Sequence, residues 1–228
     1  MKRLITFSVL LLLSTNMFAQ LFTIAGREIG FVYVGPKLGM NFSKFSQWSY
    51  DNVDVKNRMG YQFGVVGDIG LTKKLSFQTE INFISKGTKG VDNSGFTEIK
   101  RMPAIQIPLL ARYAFSFLGL KRVYANGGAY STTRVGSGTI VYEDEGFTYD
   151  DYHWTRFDWG LSLGCGAEYP VDKGIWGLDL RYDLGFVDIY RQNDENTKSR
   201  FRSFQFSLTY KFDLVDLFTK NDEQTIEP

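Results

Sequence analysis

The sequence is short of the residues that would point to several common chemistries. It holds one cysteine, Cys165, one histidine, His153, and five prolines in 228 residues. A lone cysteine excludes an intrachain disulfide framework. A lone histidine leaves little material for acid–base or zinc chemistry. The formal net charge is +1, so nothing draws the chain electrostatically to nucleic acid. Beyond the first stretch, no segment reaches the ~18 uncharged apolar residues that a spanning helix needs. The longest candidate, MPAIQIPLLA at Met102 to Ala111, contains two prolines. There is no EF-hand spacing.

The chain does carry an export pattern at its start. Lys2 and Arg3 form a positive region, and Leu4 to Leu13 is an apolar core of signal-peptide length. The expected cleavage point is Ala19-Gln20, although Met17 is larger than the usual residue at −3. No cysteine follows that core, so no lipoprotein anchor is expected. This reading divides the chain into a signal peptide (1–19), an N-terminal periplasmic segment (20–29), a barrel (30–212) and a periplasmic tail (213–228).

After residue 29, seven stretches alternate apolar and polar residues, and an eighth does so less cleanly. The clearest is FDWGLSLGCGAEY, Phe157 to Tyr169. One parity is Phe157, Trp159, Leu161, Leu163, Cys165, Ala167 and Tyr169; the other is small, polar or charged. Period two is the signature of a strand seen from both sides. The same pattern places strands at about 30–43, 58–71, 75–86, 99–115, 123–135, 175–189 and 201–212. The weak one is 123–135, with Tyr124, Asn126, Gly128, Tyr130, Thr132 and Arg134 as its inward set. Pro108 cannot donate to a ladder, so a bulge or local break is expected there.

Two faces this different fit a closed barrel in a membrane, with the apolar parity toward lipid. A soluble barrel with a ligand cavity would need an apolar inward parity, and here the second parity carries charge on nearly every strand. Connections add an independent signal, because long and short ones alternate without exception. The long ones are 44–57, 87–98, 136–155 and 190–200; the short ones are 72–74, 116–122 and 170–174. Outer-membrane barrels have short periplasmic turns and longer extracellular loops. The fold expected is all-β: an eight-stranded antiparallel transmembrane up-and-down β-barrel.

An ordered set of segments also carries a family resemblance. AIQIPLLARY (Ala104 to Tyr113), VYANGGAY (Val123 to Tyr130), FDWGLSLGCGAEY and GLDLRYDLGFVDI (Gly177 to Ile189) resemble successive strands of the PorT-like outer-membrane β-barrel family of Bacteroidetes-type bacteria. FQFSLTYKF (Phe204 to Phe212) resembles its closing strand. Asn126-Gly127-Gly128 departs from the more regular small-and-aromatic stretch usual there. The resemblance implies an outer-membrane location. It implies no single function; one member type is linked to type IX secretion.

The inward parity carries six cations, Lys37, Arg58, Arg112, Arg134, Arg181 and Lys211. It also carries six anions, Asp68, Glu80, Asp158, Glu168, Asp179 and Asp183. Eight strands enclose room for side chains rather than a channel. An uncompensated buried charge costs roughly 3–5 kcal/mol, so a balanced salt-bridge plug is the favoured reading. The alternative is a narrow ion path or a gate that re-pairs, with Lys37, Glu80, Arg112, Asp179 and Arg181 as its candidates. Aromatics on the apolar parity would form two girdles: Tyr61, Phe157, Trp159, Phe186 and Phe204 at the outer rim, and Phe77, Tyr113, Phe115, Tyr169, Trp176, Tyr210 and Phe212 at the periplasmic rim.

No catalytic residue, cofactor or metal is assigned. His153 lies beside Asp150 and Asp151, with Ser131 or Ser137 as conceivable neighbours, and a lone loop histidine is read as structural or solvated. Glu143, Asp144, Glu145, Asp150 and Asp151 offer carboxylates for Ca²⁺ or for lipopolysaccharide through divalent bridges; a solvated acidic loop is the favoured reading. The function expected is a non-enzymatic structural or interaction scaffold in the outer membrane. Its surroundings are outer-membrane lipid, and protein partners would dock on the extracellular loops or the periplasmic tail. A narrow channel or transport-associated barrel, an accessory of a secretion assembly and a lipid-modifying enzyme are the other readings.

Overall fold

The structure, a computed structural model, describes residues 23–24, 27–28, 31–47, 53–117, 120–142, 148–151, 155–189 and 198–214. The proposed signal segment, His153 and Glu143 to Glu145 lie outside these residues. So do the side chains of Asp150 and Asp151.

Thirteen strands are described. Two short ones, β1 (Thr23–Ile24) and β2 (Arg27–Glu28), pair only with each other. Eight long ones make a ring: β3 (Phe31–Phe45), β5 (Arg58–Gly70), β6 (Leu75–Asp92), β7 (Thr97–Phe117), β8 (Leu120–Arg134), β11 (Phe157–Val171), β12 (Gly174–Gly185) and β13 (Phe201–Asp213). Each is antiparallel to its neighbours, and β13 pairs with β3, from Phe201↔Phe45 to Asp213↔Tyr33, to close the ring. Closure leaves no edge and gives the backbone its hydrogen bonds internally, as a bilayer demands.

The two parities take opposite environments. On β11, Leu163 is 55% exposed while its neighbour Ser162 is fully buried. Leu38, Phe63, Ile81, Leu109, Leu178 and Leu208 are exposed; Lys37, Glu80, Asp179 and Lys211 are buried. A one-residue slip would turn every charge outward, so the pattern itself fixes the register. The exposed parity also includes Cys165 and the aromatics at both rims. On the weak strand, Tyr124, Asn126, Tyr130, Thr132 and Arg134 face the interior.

The tight closure has local consequences. At the β3–β13 seam, a Cβ on Gly35 would sit 1.8 Å from the Tyr210 carbonyl oxygen, and one on Gly39 would sit 2.3 Å from that of Phe206. Only glycine permits such approach. The ladder is broken beside Pro36, resuming at Phe212↔Val34 in the same register. Pro108 acts likewise. The β6–β7 pairing lapses between Thr79↔Leu109 and Asn82↔Gln106 and returns unshifted. The break expected at Pro108 is therefore a gap without a bulge. The register shift on β7 lies instead at Phe115/Phe117.

The strands run further on one end than the alternation predicted. The segment 87–98 is mostly strand: β6 and β7 stay paired out to Val91↔Thr97. β4 (Val53–Lys56) joins the edge of β6, β9 (Gly138–Tyr142) joins β7, and β10 (Thr148–Asp151) joins β9. The result is a five-stranded wing, β4-β6-β7-β9-β10, standing above the ring. By contrast β12 ends at Gly185, not at Ile189. Ile189 instead joins Phe45, Met102 and Phe201 in a small apolar core, with Val53, Val55 and Ile140 against it. This core caps the loop end. The opposite end has tight turns: Val171↔Gly174 leaves two residues between strands, and Thr72 Oγ1 accepts from the Lys74 and Leu75 amides.

Candidate functional site

The candidate site is the charged interior, which is built in tiers. The tier nearest the tight turns contains Asp68 from β5, Arg112 from β7, Glu168 from β11 and Lys211 from β13. Arg112 pairs with Asp68 and donates to Glu168 at 2.7 Å; Lys211 reaches Asp68 at 2.9 Å and Glu168 at 2.5 Å. The Arg112 guanidinium lies 3.7 Å from the centre of the Tyr124 ring, a cation–π contact on a delocalised cation.

The next tier contains Lys37 from β3, Glu80 from β6, and Asp179 and Arg181 from β12. Lys37 donates to Glu80 at 2.8 Å, and two Arg181 nitrogens do so at 2.9 and 3.1 Å. Gln78 and Asn82 donate to the same carboxylate. Arg181 also pairs with Asp179 at 2.9 Å, which accepts from the Tyr124 hydroxyl and the Asn126 amide of β8.

The assignment of strands to tiers follows a rule. In ring order, β5, β7, β11 and β13 are every second strand; β3, β6, β8 and β12 are the rest. A closed barrel tilts its strands, so inward residues from alternate strands stack in layers. Each of these two tiers has two cations and two anions, so each is neutral by itself. Neutrality within a tier matters because Coulomb attraction must offset desolvation locally.

Above them, Asp183 accepts from Ser162, Gln106 and Gln205 at 2.5–2.7 Å. Asp158 accepts from the Tyr130 hydroxyl and lies 4.0 Å from Lys86 Nζ. Lys86 also donates to Thr132 and stands over the Tyr130 ring at 4.6 Å.

Ten of the twelve charged residues predicted for the interior are buried; Arg58 and Glu168 are half-buried. Arg58 sits at the loop end and donates to the Ser85 and Lys86 carbonyls rather than to a carboxylate. Lys86, which sequence reasoning passed over, is fully buried in the charged column. Its signal was available, since it shares parity with Glu80 and Asn82. Tyr124 and Tyr130, placed inward but given no role, are the hydroxyl donors that hold Asp179 and Asp158. Ser131 faces outward between Ile107 and Trp159.

A ring of eight strands with a charged interior and an apolar exterior has an independent counterpart. A family model, outer membrane protein beta-barrel domain, matches residues 18–191. The chain belongs to this family. It is an integral outer-membrane β-barrel, and its exposed apolar parity faces outer-membrane lipid. No curated protein matches the chain. Among solved structures, OprG of Pseudomonas aeruginosa is similar at 9% identity, covering 81% of this chain and 95% of its own, with a TM-score of 0.49. A major outer membrane protein of Thermus thermophilus is similar at 15% identity, covering 78% and 99%, with a TM-score of 0.46. Neisserial surface protein A is similar at 13% identity, covering 82% and 100%, with a TM-score of 0.44.

Family membership gives the interior its meaning. The column of ion pairs and hydrogen bonds occupies the space inside the ring, with the Ser162 hydroxyl among its members, buried and donating to Asp183. What it does chemically is fill, neutralise and cross-link all eight strands.

Proposed function

We propose that this protein is a closed, non-enzymatic scaffold of the outer membrane that offers its loop-end wing to partners. The observation that carries this reading is the pair of self-neutral tiers, contributed by alternate strands and reaching across the interior. The apolar core of Phe45, Met102, Ile189 and Phe201 at the loop end supports it. In this reading residues 1–19 are the cleaved signal, 20–29 and 213–228 are periplasmic, and the wing is extracellular. The resemblance to the PorT-like family supports a place beside a secretion assembly. So does the wing, because β4 and β10 each pair on one side only among the described residues.

Planar-bilayer recording of the purified protein tests the closed state. A scaffold gives no current steps at any holding voltage. A reproducible unit conductance would establish the narrow channel instead. Crosslinking from residues of β4 and β10 in native membranes then identifies the partner of the wing; recovery of the monomer alone would count against an assembly.

A further inference from the structure

At the tight-turn end the barrel wall leaves a cavity of about 40 Å³. Its floor is the outermost tier, through Asp68, Arg112 and Glu168, and its rim is cationic. Lys73 and Lys74 come from the β5–β6 turn, and Arg122 from the start of β8. None of these three cations makes an ion pair among the described residues. Asp68 and Glu168 are already engaged by Arg112 and Lys211, so the cavity keeps an excess of positive charge.

A second observation points to a ligand that accepts hydrogen bonds. Arg112 is 4% exposed, and its Nε has no partner while both terminal nitrogens are used. A buried donor left unmet is costly, the more so on a charged group. The Ser76 hydroxyl and Tyr33 also line the space. The volume selects the size of the ligand, because it holds a group of about three heavy atoms when one water needs ~10–15 Å³ by the same measure. The charge selects the valence. Asp68 Oδ1 is an unpartnered acceptor in the same floor, and a dianion would place one more negative charge beside it than a monoanion does.

We propose that this cavity binds a single carboxylate group, entering from the tight-turn end between Lys73, Lys74 and Arg122 and accepting from Arg112. The same chemistry is offered by a small free acid and by the C-terminal carboxylate of a peptide.

The test is titration of the full-length, ¹⁵N-labelled protein in detergent micelles, following the amides of Leu71 to Ser76. The probes are acetate, acetyl-Ala-Ala, its C-terminal amide and inorganic phosphate. Saturable shifts with acetate and acetyl-Ala-Ala, and none with the amide, are expected. Peptide binding about tenfold tighter than acetate assigns a peptide source, and equal affinity a free acid. Lys73→Gln with Lys74→Gln, on an exposed turn outside the ion-pair tiers, weakens binding about tenfold per charge removed. The proposal is overturned by no saturable shift with either acid, by equal shifts with the amide, by tighter binding of phosphate, or by unchanged affinity in the double variant.

Discussion

The middle of the barrel and its loop end are both packed with side chains, by opposite chemistry. In the middle, Glu80 meets Lys37, Arg181, Gln78 and Asn82 in fixed directions. At the loop end, Phe45, Met102, Ile189 and Phe201 pack without direction. Ion pairs depend on partners, so the loss of one strands the others. Apolar packing degrades gradually, because neighbours relax into the space. The difference teaches where this fold is brittle: inside the membrane ring, at the charges, and less so under the wing.

The largest predicted break in that comparison is Glu80→Gln. It leaves Lys37 and Arg181 buried beside a neutral amide, and about 3–5 kcal/mol of stability should be lost in urea unfolding from lipid vesicles. Next is Leu163→Arg, which puts a charge on the lipid face of β11 and should cost about 2–4 kcal/mol near the midplane. Ser162→Asn, one residue away and inward, should cost less; equal effects would invert the assignment of faces. Ile189→Val in the loop-end core should cost only about 0.5–1.5 kcal/mol, with bilayer recordings still silent. A cost as large as that of Glu80→Gln would erase the contrast between the two closures.

The smallest effect concerns the tip of the wing. The Asp92 carboxylate accepts from the Ser94 hydroxyl and from the Ser94 and Phe96 amides. The Ser94 hydroxyl first, and the amides after it, hold its pKa below the ordinary 3.8. A depressed carboxylate pKa stabilises the fold at higher pH and ceases to do so as pH falls through the folded value. The Ser94, Gly95 and Phe96 amide resonances should therefore stay constant at and above about pH 5 and move only below the ordinary carboxylate range. In Asp92→Asn the turn should show no such acid-side transition.

Much of this architecture was legible because lipid and a polar interior impose one strict period. Wherever a strand has those two surroundings, as in β5, β11 and β13, the alternation in residues 58–71, 157–169 and 201–212 locates it closely. The reading failed where a strand leaves those surroundings. From Ile84 to Thr88, five consecutive residues are buried, because the Arg58 side chain lies over Ser85 and Gly87 on one face while Lys86 and Thr88 bond to Thr132 and the Phe45 amide on the other. Period two carries no information in such a place, so 87–98 read as loop; Lys86, whose parity matches Glu80 and Asn82, was left out of the inward set although the pattern offered it. Ile189 was misplaced for the same reason, being apolar but packed in a core rather than against lipid. The inward set of eight charges that makes up the tiers could be read from parity alone. Its division into two tiers could not, because which inward residues share a level depends on strand tilt, and a list of strands does not contain tilt.

The most direct test of the central claim, that each tier is a mutually dependent neutral unit, is a double-mutant cycle of Glu80→Gln and Arg181→Met measured by reversible unfolding in lipid vesicles. Strong coupling is expected, with the double variant much more stable than the sum of the two single losses implies. Additive losses would contradict it and would reduce the tiers to independent side chains that share a crowded space.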